Sequence, residues 1–253
     1  LQERLRAAPY LVLLLDYDGT LVPYASAPEM ALPDEGLVAL LQALARRPGT
    51  ELHLVSGSSR DAVEGWFGEL EVALYAENGF WCRPARTRDW TQQPLPAQEW
   101  REQVLPILET VTERTPGSLV EEKTASLAWH WRMSEPVFGA FQAYELRIHL
   151  AQLLSNVPIE VVSDDKVIEV RPFGADKGSL LGPVLAGRDD ALIVALGDDR
   201  TDEELFAALP AGFDTTLLLT AAFAETVLAT ATFPAGFAAV FVAFVVVVFR
   251  CCK

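Results

Sequence analysis

Apolar runs and amphipathic stretches alternate over the first ninety residues. The run Leu-Val-Leu-Leu-Leu at 11–15 has no polar partner face, which suits a strand buried on both sides of a parallel sheet. Further strands are predicted at 51–55 and 72–76. Between the first two, Leu37, Leu40, Leu41 and Leu44 recur at helical spacing after Pro33-Asp34, and Pro48-Gly49 ends that helix. A second helix is predicted through 61–67. This alternation is the signature of βαβ units. Residues 79–91, with Trp81 and Trp90 bracketing Arg-Pro-Ala-Arg-Thr-Arg, read as a hairpin.

From about residue 95 the pattern changes. It predicts a long helix (97–114), two strands (118–122 and 126–132), a helix (136–154) and two more strands (158–163 and 166–170). That αββαββ order reads as a small α+β layer inserted into the first domain. After Arg171-Pro172 the alternating pattern resumes, with a helix from Asp176, a strand at 191–196, and Gly197-Asp198-Asp199 opening another helix. The expected organisation is a discontinuous α/β core (1–93 and 172–253) around an insert (94–171). No repeat or low-complexity linker interrupts it before residue 210.

The segment 226–249 has no charged residue and is long enough for a membrane span. Pro234 and Gly236 interrupt it, and its Val, Phe and Ala content is not Leu-rich. It reads as a core strand plus a mis-registered stretch, and no membrane partner is expected. The start, Leu-Gln-Glu-Arg-Leu-Arg, is charged and helix-prone, unlike a signal peptide, and the missing initiator Met suggests a fragment. A formal charge of −15 argues against binding a nucleic-acid backbone. A small anion remains acceptable if local cations or a metal neutralise it. Cys82, Cys251 and Cys252 make neither a disulfide framework nor a metal-ligand spacing, so a reducing cytoplasm is the expected location.

The candidate chemistry sits where strands end, which is where ligands gather in open α/β sheets. Strand 11–15 runs into Asp16-Tyr17-Asp18-Gly19-Thr20. One carboxylate of such a pair can attack phosphorus while the other handles the leaving-group proton. A dianionic phosphate would repel that nucleophile unless a hard divalent cation such as Mg2+ stood between them. The strand at 191–196 runs into Gly197-Asp198-Asp199-Arg200-Thr201-Asp202, a second acidic end able to complete a metal site with Asp202 as a brace. The strand at 51–55 ends in Ser56-Gly57-Ser58-Ser59-Arg60, where a hydroxyl and free amides suit a phosphate. Ser56 acting only as a helix cap is the plain alternative. Lys177, in Gly-Ala-Asp-Lys-Gly, would supply the countercharge.

In order, Asp-Tyr-Asp-Gly-Thr, Ser56, Lys177 and Gly-Asp-Asp-Arg-Thr-Asp-Glu resemble the four motifs of the haloacid dehalogenase superfamily. The text between them resembles the trehalose-6-phosphate phosphatases, especially the phosphatase half of bifunctional synthase/phosphatase proteins. Glu121-Glu122-Lys123-Thr124-Ala125-Ser126-Leu127-Ala128-Trp129-His130-Trp131-Arg132 resembles that family's cap signature, and Lys166-Val-Ile-Glu-Val-Arg-Pro172 its closing cap strand. The likeness covers about residues 10–208.

The resemblance implies a Rossmann-like haloacid dehalogenase core with an inserted α+β cap. It implies a Mg2+-dependent phosphatase that hydrolyses trehalose 6-phosphate to trehalose and phosphate through an aspartyl-phosphate. Asp16 would be the nucleophile, Asp18 the acid and then base, and Thr20 a loop brace. Ser56, with Gly57, and Lys177 would hold the phosphoryl oxygens. Mg2+ would be bound by Asp16, the Asp18 carbonyl and Asp198, supported by Asp199 and Asp202. Glu122, Lys123, Ser126, His130, Arg132 and Glu169 would read the sugar hydroxyls. Arg60 and Asn78 are further substrate-binding candidates, although Ser58 stands where relatives usually have arginine and Asn78 replaces a common histidine. The tail after Pro210 departs from the family pattern. The alternatives are a phosphatase for another sugar phosphate, such as sucrose phosphate, and a non-catalytic regulatory domain. A fused or associated synthase domain is the expected partner.

Overall fold

Leu11–Asp16 forms strand β1, buried along its whole length. Its side chains divide by parity, as a strand's must: Leu11, Leu13 and Leu15 join one apolar cluster, and Val12 and Leu14 another. The computed structural model describes residues 5, 7–26, 30–95, 97–188 and 190–209. Helix α1 (Glu35–Ala45) begins where the Asp34 carboxylate accepts the Leu37 N–H at 2.7 Å, and it buries Leu41 and Leu44. Then come β2 (Thr50–Val55), α2 (Arg60–Phe67), β3 (Ala73–Ala76), β4 (Trp81–Arg83) and β5 (Thr91–Gln92). After α3 (Glu99–Arg114), β6 (Leu119–Glu122), β7 (Leu127–His130), α4 (Pro136–Leu153), β8 (Ile159–Asp164) and β9 (Val167–Pro172), a 3-10 turn (Lys177–Leu180) leads into α5 (Leu181–Leu185). β10 (Leu192–Leu196) and α6 (Arg200–Ala208) follow.

Two compact units result. One holds β1, Ala31–Thr91 and the described residues from Asp176 onward, and the other Gln92–Ala175, against the 93/94 and 171/172 boundaries expected from the pattern. The first unit's sheet has the order β10-β1-β2-β3-β4-β5. β1 is parallel to both neighbours, with Leu11 opposite Leu192 of β10 and Thr50 of β2. The chain moves outward from β1 on one side and returns on the other, so β1 marks the topological switch point and its carboxyl end opens a crevice. Phe67 and Val63 of α2 pack with α1 in the cluster on one face. Leu181 and Val184 of α5 and Leu205 and Phe206 of α6 pack in the cluster on the other.

The second unit's sheet has the order β6-β7-β9-β8, antiparallel throughout. Trp100, Val104 and Leu108 of α3 recur at intervals of four and meet Leu127, Trp129, Ile168 and Val170 together with Leu146 and Leu150 of α4. Pro106 falls on the exposed side of α3, where its lost N–H costs the core nothing. The alternate positions on these strands, Glu121, Ala128, His130, Glu169 and Arg171, form the opposite, polar face. A Rossmann-like core with an inserted αββαββ block is therefore the fold, as the resemblance implied.

One element departs from its sequence reading. The helix expected from Asp176 is a four-residue 3-10 turn followed by five α-helical residues. Pro183 in that stretch has no N–H to continue an α ladder, and Gly182 before it favours no helix. The uncharged stretch 226–249 lies outside the described residues. Among the described residues, no helix is long and apolar enough to cross a membrane.

His53 of β2 makes the first unit sensitive to acid. Its Nδ1 lies 3.1 Å from the Tyr75 hydroxyl, and burial holds the ring's pKa down from 6.5 to about 4. Below pH 6.5 the unfolded chain takes up a proton that the folded chain resists, so stability falls as pH drops from 6.5 towards 4. Between pH 7.5 and 5 this group alone should remove about 2 kcal/mol. Urea unfolding of wild type and His53→Gln at both pH values checks it: the variant should lose less on acidification, and equal losses would refute the assignment.

Candidate active site

Asp16 is the last residue of β1, and its carboxylate is enclosed at the strand end. Lys177, first residue of the 3-10 turn, reaches it: Nζ lies 2.6 Å from Asp16 Oδ1 and 2.8 Å from Asp202 Oδ1. Asp199 Oδ1 is 3.8 Å from the same ammonium. Lys177 can take this position because the Asp176 carboxylate caps the turn through the Ser179 N–H at 3.0 Å. Burial disfavours the ammonium, but Asp16, Asp202 and Asp199 outweigh it and hold its pKa well above the usual lysine range. At Asp16, burial together with the Asp202 and Asp199 charges pushes the carboxyl well up, against the pull of Lys177.

Asp198 and Asp199 follow β10 directly. Asp199 caps α6, accepting the Asp202 N–H at 2.9 Å, while Asp202 Oδ2 accepts the N–H groups of Asp198 at 2.9 Å and Asp199 at 3.2 Å. This reciprocal capping box fixes the whole acidic turn. Asp198 Oδ1 accepts the Thr20 hydroxyl at 2.9 Å, and Tyr24 also hydrogen-bonds the carboxylate. Two glycines make room. A Cβ on Gly19, whose φ is +87°, would overlap the Asp198 carboxylate, and one on Gly197 would overlap the Asp202 side chain.

One carboxylate oxygen each from Asp16, Asp198 and Asp202 lie within 4.8 Å of one another. Among the described residues, four carboxylates, counting Asp199, face one ammonium here, and Asp16 Oδ2 is buried with no hydrogen-bond partner. That orphaned oxygen and the excess of negative charge fit a hard divalent cation bound by oxygen ligands. Asp202 spends both oxygens on Lys177 and the two amides, so it braces the turn, and Asp16 and Asp198 are the open ligands. Burial raises the Asp198 carboxyl against the Thr20 and Tyr24 hydrogen bonds, and burial with the Asp199 charge pushes Asp202 up to about 6.

Asp18 faces the end of β2. Its Oδ2 accepts the Ser56 hydroxyl at 3.4 Å and the Ser58 hydroxyl at 3.3 Å. Ser59, not Ser56, caps α2, so the Ser56 side chain is not used up by the helix. The loop is clamped from the β3 end, where Glu77 N–H donates to the Ser58 carbonyl and Asn78 N–H to the Ser56 carbonyl, both at 3.0 Å. Glu77 and Asn78 hold left-handed φ values of 50° and 56°, which aim their amides at the loop. Asn78 Oδ1 also approaches Gly57. Arg60 pairs with Asp61 at 2.9 Å and lies over the Trp81 ring.

The second unit carries its own polar cluster. Glu169 Oε1 accepts the Ser126 hydroxyl at 2.7 Å, with Lys123 Nζ at 3.4 Å. Lys123 lies 3.8 Å from Glu121, whose Oε2 is 2.8 Å from His130 Nε2. Burial is the largest influence and raises both carboxyls, but Lys123 together with Ser126 and Arg171 at Glu169, and Lys123 together with His130 at Glu121, outweighs it, so both lie below the usual range. Glu122 points to the other face, where Arg101 of α3 meets it at 3.3 Å. Arg132 pairs with Asp165 at 2.7 Å. Sequence reasoning missed Glu121, though the period of two along Leu119–Glu122 separates it from its neighbour. Ser58 and Tyr24 were missed as well, and no local pattern distinguishes them.

A cation that binds only the folded chain raises its stability. Adding Mg2+ should raise the thermal midpoint of the wild type, and Asp198→Ala should abolish the rise. An unchanged wild-type midpoint at millimolar Mg2+ would refute the cation site.

The trehalose-phosphatase family model matches residues 14–215. The chain is 36% identical over 210 residues to an alpha,alpha-trehalose-phosphate synthase [UDP-forming] B of Dictyostelium discoideum, covering 83% of this chain and 27% of that one. It is 38% identical over 199 residues to a bifunctional trehalose-6-phosphate synthase/phosphatase of Thermoproteus tenax, covering 79% and 27%. The chain thus spans about a quarter of the length of these curated relatives. Among solved structures, the trehalose-6-phosphate phosphatase C-terminal domain of Candida albicans superposes with a TM-score of 0.78 at 30% identity, covering 82% of this chain and 76% of that one. With the family match running from β1 past α6, the chain belongs to the trehalose-phosphatase family.

Proposed function

We propose that this chain is a Mg2+-dependent phosphatase that hydrolyses trehalose 6-phosphate to trehalose and phosphate through an aspartyl-phosphate. The observation that carries the reading is Asp16, enclosed at the switch point, with Lys177 on one oxygen, no partner on the other among the described residues, and the Asp198 carboxylate beside it. Asp16 attacks phosphorus and the ester bond breaks, while Asp18 gives its proton to the departing sugar oxygen. Asp18 then takes a proton from the water that attacks phosphorus, releasing phosphate and restoring Asp16. Lys177 and the Ser56 hydroxyl, with the Gly57 amide, hold the phosphoryl oxygens. Mg2+, held by Asp16, Asp198 and the Asp18 carbonyl, would supply the charge that lets an anionic nucleophile approach an anionic phosphate.

The leaving group is recognised by the second unit's polar cluster, because a site built to pair hydroxyls rejects analogues that lack them. Glu121, Lys123, Ser126, His130 and Glu169 form that cluster in the present reading, and Glu122 and Arg132 flank it. A synthase domain as fused or associated partner is supported by the Thermoproteus relative, a bifunctional synthase/phosphatase of which the chain spans about a quarter.

Phosphate release from a panel of sugar phosphates, with Mg2+ or with a chelator, tests the reading. Trehalose 6-phosphate should be the preferred substrate, chelator should abolish turnover, and Asp16→Asn should reduce kcat at least about a thousandfold. Lys123→Ala should raise KM for trehalose 6-phosphate about tenfold or more while sparing small phosphoesters. Full activity of Asp16→Asn would overturn the mechanism, and equal turnover of all sugar phosphates would overturn the substrate.

A further inference from the structure

We propose that Arg101 is a positioning residue for sugar recognition, holding from the helix side of the second unit's sheet the turn that carries Lys123 and Ser126; this role rests on the reading of their polar cluster as the sugar site. Lys123 and Ser126 are the two ends of the connection between β6 and β7, and the Lys123 N–H donates to the Ser126 carbonyl at 3.0 Å. Thr124 and Ala125 make the bend between them. A two-residue hairpin loop fixes its own register when its residues accept positive φ, as Gly, Asn and Asp do. Neither Thr124 nor Ala125 has a positive φ. The bend therefore lacks the geometry that matches the twist of the strands, and its register depends on a hold from elsewhere.

Arg101, in the first turn of α3, provides it. Its Nη1 donates to the Lys123 carbonyl at 3.0 Å and to the Ser126 carbonyl at 3.2 Å, and its Nη2 to Glu122 Oε2 at 3.3 Å. One largely buried guanidinium thus spans both sides of the turn. The first turn of a helix disfavours positive charge, so the cation gains nothing from α3 itself. Its hydrogen bonds go to the hairpin. Because two of them are made to backbone, the Lys123 and Ser126 side chains stay on the polar face, where Ser126 Oγ lies 2.7 Å and Lys123 Nζ 3.4 Å from Glu169 Oε1. Strand side chains change face with every residue, so a one-residue slip at this turn would take Lys123 or Ser126 off Glu169. Glu122, on the helix side of the sheet, anchors the guanidinium.

The variant that tests this is Arg101→Met, which removes the donors and keeps the apolar stem that packs beside the sheet. Wild type and variant are compared, with Mg2+ present, in KM and kcat for trehalose 6-phosphate, in kcat/KM for para-nitrophenyl phosphate, and in amide hydrogen exchange at Lys123 and along Leu127–His130. Arg101→Met should raise KM for trehalose 6-phosphate at least about fivefold while changing kcat/KM for the aryl ester less than about twofold. Exchange at the Lys123 amide, which closes the turn, should quicken about tenfold while the β7 amides keep their protection. A raised KM with unchanged Lys123 exchange would overturn the inference in favour of a direct contact between Arg101 and the sugar. Faster Lys123 exchange with an unchanged KM would overturn it too, since the turn would then be held without placing the cluster. An equal fall on both substrates, or lost protection along β7, would overturn it in favour of a general structural role. If the wild type showed no preference for trehalose 6-phosphate while the variant still freed the Lys123 amide, the sugar-site reading would fail and the positioning role with it, although the hold on the turn would stand.

Discussion

A single ammonium buried among carboxylates sets the terms for everything at the end of β1. Lys177 Nζ lies within 2.8 Å of both Asp16 and Asp202, and a pair so enclosed is expensive to desolvate and far more expensive to break. Its value is in what it fixes. Asp16 is presented by a strand, Asp202 by a helix and Lys177 by a 3-10 turn, three elements joined at one nitrogen. Because Lys177 neutralises only part of the surrounding charge, the ion pair leaves the site short of positive charge as well as ordered. The same contact that organises the carboxylates keeps them ready for a second cation.

The backbone serves that cluster by coming unusually close. Gly19 and Gly197 lack the Cβ that would otherwise overlap Asp198 and Asp202, so each acidic loop folds around a carboxylate of the other or of its own turn. The Glu77–Asn78 pair does comparable work at the β2 end, accepting left-handed φ values in exchange for two amide contacts to the Ser56–Ser58 loop. Non-glycine residues held in that region store strain, and strain of this kind persists where the surroundings over-determine it.

Much of this was legible in the chain because burial leaves a periodic trace. β1 and α3 are read from apolar spacing alone, and the acids after β1 and β10 stand out because an apolar run stops at them. The misses have a common origin in register. Glu121 and Glu122 are the same residue type in adjacent positions, and only pairing with β7, which sets Glu121 opposite Ala128, decides which one joins Lys123 and Glu169. In Ser56-Gly57-Ser58-Ser59, composition offers three similar hydroxyls. Backbone angles at Ser59 make it the helix cap and free the other two for Asp18. Arg60, a candidate cation by sequence distance, is held by Asp61 and the Trp81 ring, contacts that no sequence pattern announces.

The parallel pairing of β1 with β10 also orders events in time. Asp16 and the lysine that neutralises it are 161 residues apart, with the entire second unit between them. On the ribosome, β1 can pair with β2 soon after both emerge, but its other edge stays open until β10 is made. Through that interval the nascent chain carries an apolar strand with an unpaired edge, the form of exposed structure most prone to misassociation. The acid at its tip then disfavours burial in any wrong partner. The carboxylate that ends β1 thus also weighs against premature pairing of the strand.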